Sequence, residues 1–311
     1  MAEDWRKLMD LGIIHFMAFP IIRDEGPILP TAAKIAQDDF FDVLEVRRSE
    51  HPEVMAGLKR IAEQSKLKLG MGAQPGLLLN KLNLNNTEDE ANRRAAIEEV
   101  KQSIDAAYEL GCPICACLSG PDVEDAKRGR AMDLLVDGLV ELCEHSKSRA
   151  GDGEPVWVSV EQFDHETDKK CLIGPSQRAA EMAERVKAQV DNFGLTIDLS
   201  HLPMLGETPQ EVLSTVIEHV IHVHVGNCMV SDEADAAYGD KHPRFGYPGS
   251  ENDVDELAHF MEALIYSGYF EKDLPTEKPI VSFEVAPIGD EDPEFVIAST
   301  KRTFNAAWAK L

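Results

Sequence analysis

Residues 195–203 read LTIDLSHLP, a strand-like apolar run that closes on an aspartate and is followed three residues later by a histidine. Side chains alternate along a strand, so Thr196 and Asp198 share one face while Leu195 and Ile197 share the other. A carboxylate on the inner face is costly to desolvate unless it meets a cation, a set of donors or open water. Its partner must come from elsewhere in the chain.

The same strand-then-helix grammar recurs throughout. Apolar runs at 13–19, 42–46, 67–73, 113–118, 156–161, 195–199, 220–225 and 280–285 read as strands. Between them, 53–65, 88–110, 123–146, 176–190, 209–218, 254–267 and 293–308 carry apolar residues at helical spacing, with a fainter pattern at 28–36. Eight such units in 311 residues match an α/β chain of the (β/α)8 TIM-barrel class. A doubly wound sheet usually stops at about five to seven strands. No low-complexity linker divides the chain, so a single domain over 1–311 is expected.

Composition narrows the possible partners. Against 31 Lys and Arg stand 56 Asp and Glu, a net charge of −25 that opposes binding to phosphate backbones and anionic membranes. Neither nucleic acid nor membrane is therefore an expected partner. The opening MAEDWRKLMD is charged, and the apolar stretch behind it is broken by His15, so neither a signal peptide nor a membrane span is expected. Six scattered cysteines suit a reduced, cytoplasmic setting with free thiols. CPICAC at 112–117 contains a CxxC, but without a second ligand pair at zinc spacing it reads as buried strand thiols.

A barrel of this class places chemistry at the C-terminal ends of its strands. The last four candidate strands end VWVSVEQFD, LTIDLSH, IHVHVGN and IVSFEVAP, and alternation turns Glu161, Asp198, His224 and Glu284 inward at one mouth. Three clustered carboxylates repel one another, and a divalent cation is the simplest means of holding them ionised. Oxygen-rich ligation with one imidazole suits Mn²⁺, Mg²⁺ or Co²⁺, and admits Zn²⁺. His222 reads as a satisfied core histidine.

The longest connection, 226–252, contains most of YGDKHPRFGYPGSEND, in which Asp240, His242 and Arg244 come two apart before a turn at Gly246, Pro248 and Gly249. A loop of that length in a compact barrel is more often functional than idle, and the three are candidate substrate-binding residues. At other strand ends His15, Glu45 and Gln74 can hydrogen-bond a polyol or satisfy a barrel neighbour; Glu45 and Gln74 join the substrate-binding candidates. Lys169 and Lys170, in the loop after the fifth strand, could meet a carbonyl or phosphate but read more readily as a solvated charge pair, and Glu207 and Glu211 read as surface charge.

The ordered set VSVEQFD, IDLSHLP, HVHVGN, the long loop and VSFEVAP resembles the xylose isomerase-like TIM-barrel superfamily, in particular its sugar phosphate isomerase/epimerase family. The resemblance runs from Ile13 to Ala307. It implies Glu161, Asp198, His224 and Glu284 as ligands of one divalent metal, with His201 beside the metal and contacting sugar oxygens. It also implies that Glu161 and Glu284 exchange a proton at the carbon next to a carbonyl, through an enediolate. The expected partner is accordingly a small sugar or keto-sugar, with a homo-oligomer left open.

Two other outcomes of the same resemblance stay open. Loss of a β-substituent after proton abstraction would make the enzyme a lyase or dehydratase acting on a keto sugar or 3-keto glycoside, with His201, His242 or His145 as the acid. The DKH of Asp240 to His242 resembles the endonuclease IV branch, where such a pair joins a further metal. That branch, however, carries histidines after the third and fourth strands, where this chain has GAQP and CLSGPD. Asp240 and His242 then either bind a second metal with His201 or close over a sugar.

Overall fold

Eight parallel strands close on themselves in chain order: β1 Asp10–Ile14, β2 Val43–Arg47, β3 Lys68–Gly72, β4 Ile114–Leu118, β5 Trp157–Glu161, β6 Phe193–Asp198, β7 Val220–Gly226 and β8 Ile280–Glu284. The computed structural model describes residues 4–24 and 26–311. β1 pairs with β8 at Gly12↔Ser282, which closes the (β/α)8 barrel. Outward residues such as Leu195, Ile197 and Val223 are fully buried beneath the surrounding helices, so the main apolar core is the layer between sheet and helices.

The barrel interior is small and polar. Ser159 Oγ lies 2.6 Å from Thr196 Oγ1 across neighbouring strands. At Gly70 a Cβ would stand 2.9 Å from Glu45 Cγ, so glycine leaves the room that the Glu45 side chain fills.

The first strand departs from expectation: it covers Asp10–Ile14, and His15–Ala18 is a short helix. The apolar pattern begins this strand at Ile13 and leaves Asp10 outside it. Its carboxylate is neutralised by Lys68 Nζ at 2.6 Å, and its N–H donates to Pro279 O at 2.9 Å. His15 consequently leaves the barrel mouth, buried with its Nε2 2.8 Å from Thr31 Oγ1.

Two residues read as surface charge do structural work. Glu211 is exposed, yet it closes a capping box with Thr208 at the helix Pro209–Val216. Glu207 accepts from Ser176 N at 3.1 Å and Ser176 Oγ at 2.5 Å, tying the helix Ser176–Lys187 to the chain beyond β6. All six cysteines are free and buried, and burial pushes the Cys117 thiol up to about 12, so none is poised as a thiolate ligand. Among the described residues no helix is long and apolar enough to cross a membrane.

Candidate metal and substrate site

The strand ends converge as alternation requires. Register pairs Asp198 with His224 across β6 and β7, and Gly226 with Glu284 across β7 and β8. One donor atom from each of Glu161, Asp198, His224 and Glu284 falls within 4.8 Å of the others, and all four residues are buried.

His224 stands at the centre. Its Nδ1 lies 3.2 Å from Glu161 Oε1 and 3.1 Å from Glu284 Oε2, while Nε2 points the other way, 3.3 Å from Glu45 Oε2. Burial alone would lower its pKa, but the Glu45 and Glu161 carboxylates overcome this and raise it well above the ordinary imidazole value. The two catalytic candidates are driven apart. Burial favours protonation of both; His224 and His201 outweigh it at Glu161 and lower its pKa, whereas at Glu284 burial prevails with help from Glu161 and raises it.

Each ligand candidate has support behind it. Ser200 donates to Asp198 through its N–H at 2.8 Å and through its hydroxyl at 2.7 Å. Gln74, the first residue of the helix Gln74–Leu79, donates from Nε2 to Glu161 Oε2 at 2.8 Å. Glu45 accepts from His222 Nε2 at 2.8 Å, so His222 is the bonded core histidine expected of it. Burial would raise the Glu45 pKa, but His222 and His224 hold it well below the usual carboxylate range.

The long loop after β7 delivers a second group. Asn227 pins it, donating to Arg244 O at 2.9 Å and Ser250 Oγ at 2.7 Å and accepting from Cys228 N at 2.9 Å and Asn252 N at 2.7 Å. Asp240 Oδ1 receives His242 Nε2 at 2.7 Å and His201 Nε2 at 3.1 Å. His242 holds a left-handed backbone, φ 53°, an uncommon cost for a residue with a Cβ and one that recurs at functional sites. Its Nδ1 is buried without a hydrogen bond, 3.7 Å from Asp198 Oδ2.

A cavity of about 400 Å³ opens over these groups, lined by Glu45, Gln74, Glu161, His224, Asp240, His242 and Glu284 among others. Three candidates lie elsewhere. His201 sits behind Asp240, its Nδ1 donating to Gln162 O at 2.6 Å and its ring 4.5 Å from that of Phe163. Arg244 turns from the cavity to Glu291, with Nε 2.8 Å from Oε1. His145 belongs to the outer helix Asp125–Ala150 and pairs with Asp105 at 2.9 Å, too far out to serve as an acid here.

One residue of the site reads from sequence as solvated. Lys169 is not a solvated charge: its Nζ lies 2.9 Å from Asp240 Oδ2 and 3.2 Å from Asp168 Oδ2 on the cavity wall. Burial would lower its pKa, and the two carboxylates raise it instead. Asp164 shapes the loop that carries it, accepting the backbone N–H groups of Thr167, Asp168, Lys169 and Lys170 at 2.7–3.2 Å. An aspartate just past a strand end, before a polar run, is the signal that could have marked an ordered loop.

The donor chemistry fits a hard divalent cation. Glu284 Oε2 is buried without a directional hydrogen bond, and three carboxylates share a pocket with the His224 imidazole. Asp198, His201 and His242 form an overlapping group of donors, also within 4.8 Å of one another.

Comparisons with known proteins agree with the architecture. Among solved structures, a D-tagatose 3-epimerase-like protein superposes with a TM-score of 0.69 at 18% identity, over 97% of this chain and 99% of that one. The 3-keto-D-glucoside 4-epimerase YcjR from E. coli gives 0.68 at 14% identity, over 96% and 99%. The IOLI protein with a binding zinc atom gives 0.68 at 17%, over 97% and 99%. No curated protein matches the chain in sequence. The family model for the xylose isomerase-like TIM barrel matches residues 34–296, most of the chain, and the protein therefore belongs to that family.

Proposed function

We propose that this protein is a divalent-metal-dependent sugar isomerase or epimerase that moves a proton on the carbon beside a carbonyl. The convergence of Glu161, Asp198, His224 and Glu284 at one barrel mouth carries this reading. Those four residues would hold the cation, Mn²⁺, Mg²⁺ or Co²⁺ by donor type, with zinc admitted by the relative that binds it. When bound, the metal supplies polarisation of the substrate carbonyl and stabilises the negative charge that develops on its oxygen.

The chain's own residues do the rest. Glu161 and Glu284 reach the site from strands on different sides of His224, and their opposed pKa shifts suit one to accept a proton and the other to return one. The C–H bond breaks to leave an enediolate, and reprotonation at the same carbon epimerises it. Gln74 orients Glu161, and His201 holds Asp240 against the substrate side of the cavity. A small sugar or keto-sugar fits the polar floor, whereas a net charge of −25 opposes a nucleic-acid substrate.

Elimination is the second reading, favoured by one observation: His242 lines the cavity beside Glu284, and although burial would lower its pKa, Glu284 and Asp240 raise it to about 9, the state of an acid. Incubation of the Mn²⁺-loaded enzyme with a panel of keto sugars in D₂O, followed by NMR, separates the two. Deuterium beside the carbonyl without loss of water supports the isomerase; a dehydrated product makes it a lyase.

A further inference from the structure

The cavity over the metal-site residues has two chemically different sides. Glu161, Lys169, His224, Asp240, His242 and Glu284 supply its polar side from β5, β7, β8 and their loops. A second wall is apolar. Phe16 and Met17 follow β1, Leu78 and Leu79 end the helix after β3, and Ile288 follows β8.

Packing does not require the Leu78 and Leu79 part of this wall. Leu77 is the buried anchor of the helix Gln74–Leu79, at 1% exposure, whereas Leu78 and Leu79 remain 40% and 61% exposed. Of the five large hydrophobic residues exposed among the described residues, these two line the cavity, and Ile21, 64% exposed, follows the lining residue Pro20. A concentrated apolar surface rimmed by polar groups marks a binding site. Free monosaccharides carry hydroxyls around the ring and would lose water against this wall without gaining hydrogen bonds.

The cavity lysines also argue against a charged substituent. Lys169 is paired with Asp240, Lys241 with Asp168 at 3.2 Å, and Arg47 donates to Ile22 O at 2.9 Å. A phosphate at either lysine would sit against the carboxylate already paired with it, Asp240 or Asp168. About 400 Å³ lies within the roughly 300–1,000 Å³ typical of ligand pockets, room for a sugar with a substituent.

We infer that the site takes an amphipathic sugar derivative, a glycoside or keto-glycoside whose uncharged apolar aglycone lies on the Phe16–Met17–Leu78–Leu79 wall while its sugar faces the metal-site residues. This rests on the sugar reading proposed above.

Calorimetry of the Mn²⁺-loaded protein with phenyl β-D-glucopyranoside and methyl β-D-glucopyranoside tests it without requiring turnover. The phenyl glycoside should bind about tenfold tighter, the effect expected of one apolar ring leaving water. In a Leu78→Ser, Leu79→Ser double variant the ratio should fall towards one while affinity for the methyl glycoside is kept, which shows that the fold has survived. Equal affinities in the wild type, or binding of neither glycoside, would overturn the inference. So would an absent preference accompanied by a change of sedimentation in the double variant, which would assign the wall to a protein partner. Repeating the titration with chelator separates the two claims. A phenyl preference unmoved by chelation keeps the wall and removes the metal from sugar binding; equal affinities that both fall on chelation keep the metal and remove the wall.

Discussion

Glu45 grips the far side of His224: its Oε2 lies 3.3 Å from His224 Nε2, while Nδ1 of the same ring faces Glu161 and Glu284. A carboxylate on one ring nitrogen keeps the proton there and leaves the other nitrogen free as a ligand, the carboxylate–histidine–metal arrangement. His222 holds the second Glu45 oxygen at 2.8 Å, so the carboxylate is fixed from two sides. Glu45, expected from sequence to meet substrate, thus acts first on a proposed metal ligand. Changing Glu45→Gln should weaken Mn²⁺ binding by roughly 10–100-fold in a calorimetric titration. Unchanged metal affinity with a raised KM would return Glu45 to the substrate.

Glu161 and Glu284 are given two tasks, holding the cation and moving the proton. Glu161→Gln and Glu284→Gln keep shape and remove the proton-accepting charge, and each should lower kcat by roughly 10²–10⁴-fold. Isotope exchange from D₂O into substrate should fall in parallel. Either variant with full exchange would remove that residue from the proton path.

His201 does not itself line the cavity; it meets lining residues, hydrogen-bonding Asp240 and packing its ring 4.5 Å from that of Phe163. Burial would lower its pKa, but the Asp240 hydrogen bond raises it to about 10, which favours the doubly protonated ring that donates both to Asp240 and to Gln162 O. His201→Ala should retain one Mn²⁺ per chain while losing turnover, measured by metal analysis beside kcat. Loss of the metal in that variant would make Asp198 and His201 a simple chelate.

His15 gives the fold a pH dependence independent of the site. Burial, aided by the Arg47 guanidinium, pushes its imidazole down from 6.5 to about 4. The folded state therefore prefers the neutral ring, and the associated stability is full above pH 6.5 and is lost as pH falls from there through about 4. Its ceiling is on the order of 3 kcal/mol. Urea unfolding at pH 7 and pH 4.5 should show a smaller pH effect for His15→Gln than for the wild type; equal slopes would contradict this assignment.

Strands β2 to β8 were legible because strands buried on both faces read as short apolar runs, and the convergence of Glu161, Asp198, His224 and Glu284 because period-two alternation needs no knowledge of tertiary structure. β1 was misplaced where Asp10, a poor strand residue in isolation, is neutralised by Lys68 from another strand. From sequence, Lys169 reads as solvated for the same reason, since Asp240, the partner that draws it to the cavity, lies on a different loop. Arg244 shows the converse: its spacing with Asp240 and His242 suggested a shared task, but a turn redirects it to Glu291. Local pattern shows which way a side chain leaves the backbone. Long-range ion pairs decide where its charged end comes to rest.

The central claim is that one divalent cation sits among Glu161, Asp198, His224 and Glu284. Anomalous diffraction from crystals grown with Mn²⁺ tests it most directly. One peak within ligand distance of those four residues is the predicted result. No peak there, or a second peak held by Asp240 and His242, would contradict a single-metal isomerase, the latter in favour of a multi-metal hydrolase.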